Sequence, residues 1–216
     1  MEINIAELSK YPICDTDIWV NLCLGGLLSE VFKLHSKLVV ADVVEGEILN
    51  WRKSGKYCFI ADEFQKYKKN GHILVIEHDK HIPAPQRKIL ERILYDLKFQ
   101  NDFKNKPPEE NKGEFVSAIY ADYFKIPFMK SNDNAFQEGG KGREAFPDLL
   151  VKNWNDTLRE LLKDDRQRIS IAKKVEEENK RMNQSKNTVD KHNKGKNDIS
   201  MDEMLEQLKQ RFSKNY

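Results

Sequence analysis

Four acids stand where a metal-assisted hydrolysis could be built. Asp15 closes ICDTD, Glu47 lies in ADVVEGEIL, Glu114 opens EFVSAIYADYF, and Asp133 sits in FMKSNDNAF. Carboxylates gathered at one point repel one another and raise each other's pKa unless a cation neutralises them. A set of hard oxygen ligands with no His or Cys suits Mg2+ or Mn2+ better than Zn2+. Such an ion turns bound water into a nucleophile and clamps a phosphate oxygen, so the reaction implied is phosphodiester hydrolysis without a covalent intermediate. Taken singly, each acid reads as a helix cap or solvated surface, because the chain carries 35 Asp and Glu. What favours a site is their order, each beside a strand end or a helix start.

The elements that must position them follow from apolar periodicity. YPICD (11–15) reads as a strand, and 18–34 as a helical region interrupted at Gly25-Gly26. KLVVA (37–41) is a second strand, after which Asp42 caps a helix to about Trp51, with Glu45 completing a capping-box pattern. A helix over 62–69 precedes a third strand, HILVIE (72–77). Residues 85–99 place Ile89, Leu90, Ile93, Leu94 and Leu97 on one helical face. A Pro- and Asn-rich loop (101–113), a helix (113–125), a strand (126–131), a Gly-rich basic loop (139–147), a last strand (148–154) and a helix (156–163) complete the body. Strands alternating with helices predict an α/β fold, a three-layer α/β/α sandwich with a central parallel sheet. Ligands of such sheets gather at the carboxyl ends of the strands.

With 39% hydrophobic and 33% charged residues, the chain can bury a core and stay in solution. No apolar run approaches the roughly 20 residues that cross a bilayer. The start of the chain has neither a basic stretch nor a long apolar one, so a cytoplasmic location and no membrane partner are expected. Cys14, Cys23 and Cys58 lack CxxC spacing and read as buried thiols rather than a zinc or disulfide framework. Residues 1–164 hold 24 Lys and Arg against 26 Asp and Glu, whereas 165–216 hold 13 against 9. The basic surplus of the tail suggests a polyanion or acidic partner there, or a solvated tail. Residues 165–200 are almost devoid of large apolar groups, so the body is expected over 1–164 and a charged tail over 165–216. That tail reads as a charged helix decaying into a linker, then a helix capped by Ser200 and Glu203. The final helix, with Met201, Met204, Leu205, Leu208 and Phe212, folds back, pairs with a second copy or docks a protein partner.

At the four acids the sequence resembles the PIN domain family of Mg2+/Mn2+-dependent nucleases over roughly residues 11–155. The likeness rests on a first strand ending in Asp in ICDTDIWVNL, the Glu of VVADVVEGEIL, the helix start of GEFVSAIYADYFKIPFM, and the acid of SNDNAF. It implies that Asp15, Glu47, Glu114 and Asp133 are metal ligands, directly or through water, and that Ser131 orients the site by hydrogen bonds. Asp17 is a fifth acid or the cap of the following helix. The resemblance implies cleavage of RNA, with single-stranded DNA as the alternative. It also permits the role of a toxin neutralised by an antitoxin, and homodimers are common in the family. The long stretch from Trp51 to Pro108, the GGKGRE loop and the tail depart from a minimal PIN domain and bear on substrate choice.

Lys130, Lys141 and Arg143 flank the fourth acid, where they either meet phosphates or form ordinary surface charge. His72, His78 and His81 read as a solvated strand edge rather than a metal cluster. Trp51, Tyr57 and Phe59 read as core aromatics. Two rivals stand beside the nuclease. DTD after a first strand imitates the D-x-D of haloacid-dehalogenase phosphatases, although Trp19 stands where that family wants Thr or Val. A PIN-like fold without activity would serve as a nucleic-acid or protein interaction module.

Overall fold

A computed structural model describes residues 4–100, 103 and 109–197. A short helix α1 (Ile5–Leu8) precedes strand β1 (Ile13–Cys14), followed by α2 (Thr16–Gly25), α3 (Leu28–His35) and β2 (Leu38–Ala41). α4 (Asp42–Asn50) and α5 (Phe59–Lys69) lead to β3 (Ile73–Ile76). The long return to β4 (Met129–Lys130) passes through α6 (His78–His81), α7 (Ala84–Asp96) and α8 (Lys112–Tyr123). Then come α9 (Lys141–Ala145), β5 (Val151–Lys152), α10 (Trp154–Leu161) and α11 (Asp165–Asn197).

The five strands form one sheet in the order β3-β2-β1-β4-β5, and every neighbouring pair is parallel. LVVA and ILVI are buried at every position, as a parallel strand covered on both faces requires. Helices flank the sheet in the three-layer α/β/α arrangement expected from the sequence. The strand order reverses between β1 and β4. Chain segments leave β1 toward β2 and β3 on one side, and β4 leads to β5 on the other. The crevice at the carboxyl ends of β1 and β4 is thus the topological switch point, where open α/β sheets bind ligands.

α2 is anchored by Trp19, fully buried, whose indole N–H donates to Ile60 O at 3.1 Å and whose ring meets Phe64 edge-on at 5.4 Å. Gly26, at φ 71°, takes the left-handed conformation that ends the helix, and its N–H returns to the carbonyls of Leu22 and Cys23. α7 departs from the expected five-residue apolar face. Leu90 and Leu94 are buried, but Ile89 is 60% exposed and Ile93 37%.

Two compact units divide the chain, Met1–Ala172 and Lys173–Tyr216. The described part of the second unit is the continuation of α11 to Asn197. The apolar helix expected over 201–212 lies outside the described residues. No helix among the described residues is long and apolar enough to cross a membrane.

Candidate active site

Asp15 is the first residue beyond β1 and the N-cap of α2. Its Oδ1 accepts the Ile18 N–H at 3.0 Å, a common use of Asp at a helix start. The side chain is fully buried, and Oδ2 has no hydrogen-bond partner. Burial pushes the Asp15 carboxyl well above the usual carboxylate range. Asp17 and Glu114 push it further, against the Ser131 hydroxyl and the Ile18 N–H, which pull it down. A buried carboxylate oxygen without a donor is costly, and a cation beside it would offset that cost.

Glu47 lies on the second turn of α4. Its Oε2 accepts the Thr16 hydroxyl at 2.5 Å, and its carboxylate lies over Gly113, where a Cβ would stand 2.8 Å from Oε1. Burial raises its pKa, the Thr16 hydrogen bond lowers it, and Asp17 raises it. Glu114 follows in the first turn of α8 and is held up to about 7, first by burial and then by Glu47, Asp133 and Asp17. The start of that helix is anchored by Lys112, fully buried, whose ammonium donates to Glu109 Oε2 at 2.9 Å. Asp133 follows β4. Its N–H donates to Ser131 Oγ at 3.2 Å, and its own Oδ1 accepts the Ala135 N–H at 2.6 Å.

Five acids from four segments therefore act on one another. The sequence left Asp17 as either a helix cap or a fifth acid; the cap is Asp15, and Asp17 adds negative charge to Asp15, Glu47 and Glu114 alike. Among the described residues, no three His, Cys, Asp or Glu side chains stand close enough to ligate one ion together. The acids offer oxygen donors alone, and Asp15 among them has a buried oxygen without a hydrogen-bond partner. Such a set fits Mg2+ or Mn2+ held by one or two carboxylates and otherwise by water, the usual mode for Mg2+.

Of the three basic residues expected either to meet phosphates or to form surface charge, Lys130 does neither. Lys130 is fully buried, and its Nζ donates to Glu160 Oε2 at 2.6 Å and to Thr157 at 3.3 Å, beneath α10. It is an internal ion-pair residue rather than a phosphate contact. Arg143 donates to Leu149 O at 2.6 Å and so braces the 143–149 segment, while Lys141 is exposed at the start of α9. Neither is among the charges that shift Asp15, Glu47 or Glu114.

Other expectations change as well. His78 and His81 are buried rather than solvated. His78 stacks on Phe103 at 3.8 Å between ring centres, and His81 Nδ1 accepts the Glu77 N–H. Tyr57 is buried, Trp51 meets it edge-on, and Phe59 is exposed. Asp42 is not a helix cap: it is the first residue of α4, and its Oδ2 accepts the His78 N–H at 2.8 Å while Oδ1 accepts the Tyr120 hydroxyl at 3.2 Å. Burial holds Asp42 up to about 6. No capping box forms with Glu45, which pairs with Lys68 at 2.6 Å. Thr16 and Gly113 were not singled out from the sequence. Their signal was adjacency to Asp15 and Glu114, but their common partner, Glu47, is distant in the chain. No protein-family model matches the chain, and no curated protein matches it either.

Proposed function

We propose that this chain is a divalent-metal-dependent nuclease that hydrolyses RNA. What supports the reading is that Asp15, Glu47, Glu114 and Asp133 lie near enough to shift one another's protonation, and that Asp15 has a buried oxygen without a hydrogen-bond partner. RNA as the substrate rests on the resemblance to PIN domains. Asp15, Glu47, Glu114 and Asp133 would hold Mg2+ or Mn2+, directly or through water, and when bound the ion lowers the pKa of water and neutralises phosphate charge.

The residues themselves do the positioning. The cap on α2 fixes the Asp15 carboxylate, so its unpaired oxygen needs no reorganisation to receive a ligand. Glu114 is held up to about 7 by burial and its acidic neighbours, and a bound cation would lower that value and keep its carboxylate ionised as a ligand. Ser131 and the Ala135 N–H fix Asp133 at the mouth of β4. An interaction module without activity is the second reading. In its favour, no three ligating side chains among the described residues stand within reach of one ion.

Labelled single-stranded RNA and DNA, incubated with Mg2+, Mn2+ or EDTA, separate the two readings. Asp15→Asn and Asp133→Asn are expected to fold and to lose cleavage by at least about a hundredfold. Equal cleavage by wild type and both variants would remove the site. Absence of both cleavage and Mn2+ binding would favour the module.

A further inference from the structure

The geometry points to Thr16 and Gly113 as a positioning pair that clamps the Glu47 carboxylate in place before any cation arrives. This deepens the reading above and rests on it for its metal-binding consequence. α4 packs against both α2 and α8, and the carboxylate of Glu47 is met from each. From α2, the Thr16 hydroxyl donates to Oε2 at 2.5 Å. From α8, Gly113 presents bare backbone: a Cβ there would lie 2.8 Å from Oε1, 2.9 Å from Oε2 and 3.1 Å from Cδ.

Both contacts oppose what the surroundings would otherwise do. Asp17 and Glu114 carry the same charge as Glu47, and repulsion alone would swing a side chain with three rotatable bonds out toward solvent. The hydroxyl supplies a directed hydrogen bond to the ionised group, a stronger bond than one between neutral partners. The glycine opens a volume that any side chain would fill. Glycine is a poor helix residue, so its presence in the first turn of α8 runs against local preference. The space it leaves for Glu47 accounts for it. A cation then meets a carboxylate already in position, and the ordering of the side chain is not charged against binding.

Thr16→Val keeps the shape of the side chain and removes the donor. Gly113→Ala improves helix propensity while pushing the carboxylate away. Metal-free crystal structures of both variants are expected to show Glu47 in a different rotamer, whereas Thr16→Ser keeps it in place. Thermal melting should be unchanged or raised for Gly113→Ala, while electron paramagnetic resonance shows Mn2+ affinity falling about tenfold in both variants and staying at the wild-type level in Thr16→Ser. A merely structural Thr16 would lower stability with no change in Mn2+ affinity. Glu47 unmoved in the metal-free Thr16→Val and Gly113→Ala crystals would overturn the clamp. If wild type binds no Mn2+, the metal reading falls, and the metal-free crystals still decide the clamp by the position of Glu47.

Discussion

Glu114 makes the metal-free protein a pH-sensitive object. Its folded-state pKa of about 7 lies above the ordinary 4.5, so between those values the folded protein keeps a proton that the unfolded chain has released. That proton favours the fold below pH 4.5 and the advantage is lost as pH rises through 7. Asp15 and Asp42, also raised by burial, act with the same sign. Denaturant unfolding in EDTA is therefore expected to show lower stability at pH 8 than at pH 5. Glu114→Gln should recover about 1–3 kcal/mol at pH 8 and nothing near pH 4.5, from roughly 1.4 kcal/mol per pKa unit discounted for partial exposure. Addition of Mn2+ at pH 8 should stabilise wild type more than the variant, since only wild type keeps all four carboxylates.

Strands and helices carry a different cost, concentrated in the pair formed by buried Lys130 and half-buried Glu160. The ammonium of Lys130 is fully enclosed, and Glu160 also pairs with Lys152 and lies 3.7 Å from His35 Nε2. Glu160→Ala leaves an enclosed charge without its partner and is expected to lower stability by about 3 kcal/mol in denaturant melts. Lys130→Met removes that charge and leaves Glu160 its pair with Lys152, so it should cost less and leave Mn2+ affinity unaltered. An effect of Lys130→Met on Mn2+ affinity equal to that of Asp133→Asn would contradict this placement. β2 and β3 were legible in the sequence because parallel strands buried on both faces read as unbroken apolar runs. The direction of Lys130 was not, because a two-residue strand shows no alternation. His78 and His81 were misread for a related reason. Phe103, which stacks on His78, lies in a segment whose Pro and Asn content announces only a loop. Asp42 looked like a cap because capping is a local pattern, whereas its partners His78 and Tyr120 are tertiary.

Across the whole molecule, the first compact unit extends to Ala172, past the end of the body expected from the loss of large apolar residues after 164. Gly25 explains part of the difference: a Cβ there would lie 3.2 Å from Ile171, so the first turns of α11 pack on the end of α2. A chain ending at Ala172 is expected to resist limited proteolysis and melt cooperatively. One ending at Asp164 should melt several degrees lower, since about 1 kcal/mol shifts the midpoint by roughly 2–4 °C at this size. Equal melting of the two would show that 165–172 adds nothing to the first unit. The four acids were legible because Asp15 and Asp133 follow strands while Glu47 and Glu114 sit near helix starts, and a parallel sheet brings such positions to one edge. Their separations were not, because those depend on strand order and helix packing, which sequence patterning leaves open.

That strand order also sets a timetable. β1 lies between β2 and β4, and Ile13 pairs with Met129 as well as with Val39. A chain emerging from the ribosome exposes Asp15, Glu47 and even Glu114 before β4 exists to close the middle of the sheet. Asp133 arrives last, on the strand whose insertion brings the two halves of the sheet together. The nuclease proposed above would thus lack its fourth acid, and with it a complete site, for most of its synthesis.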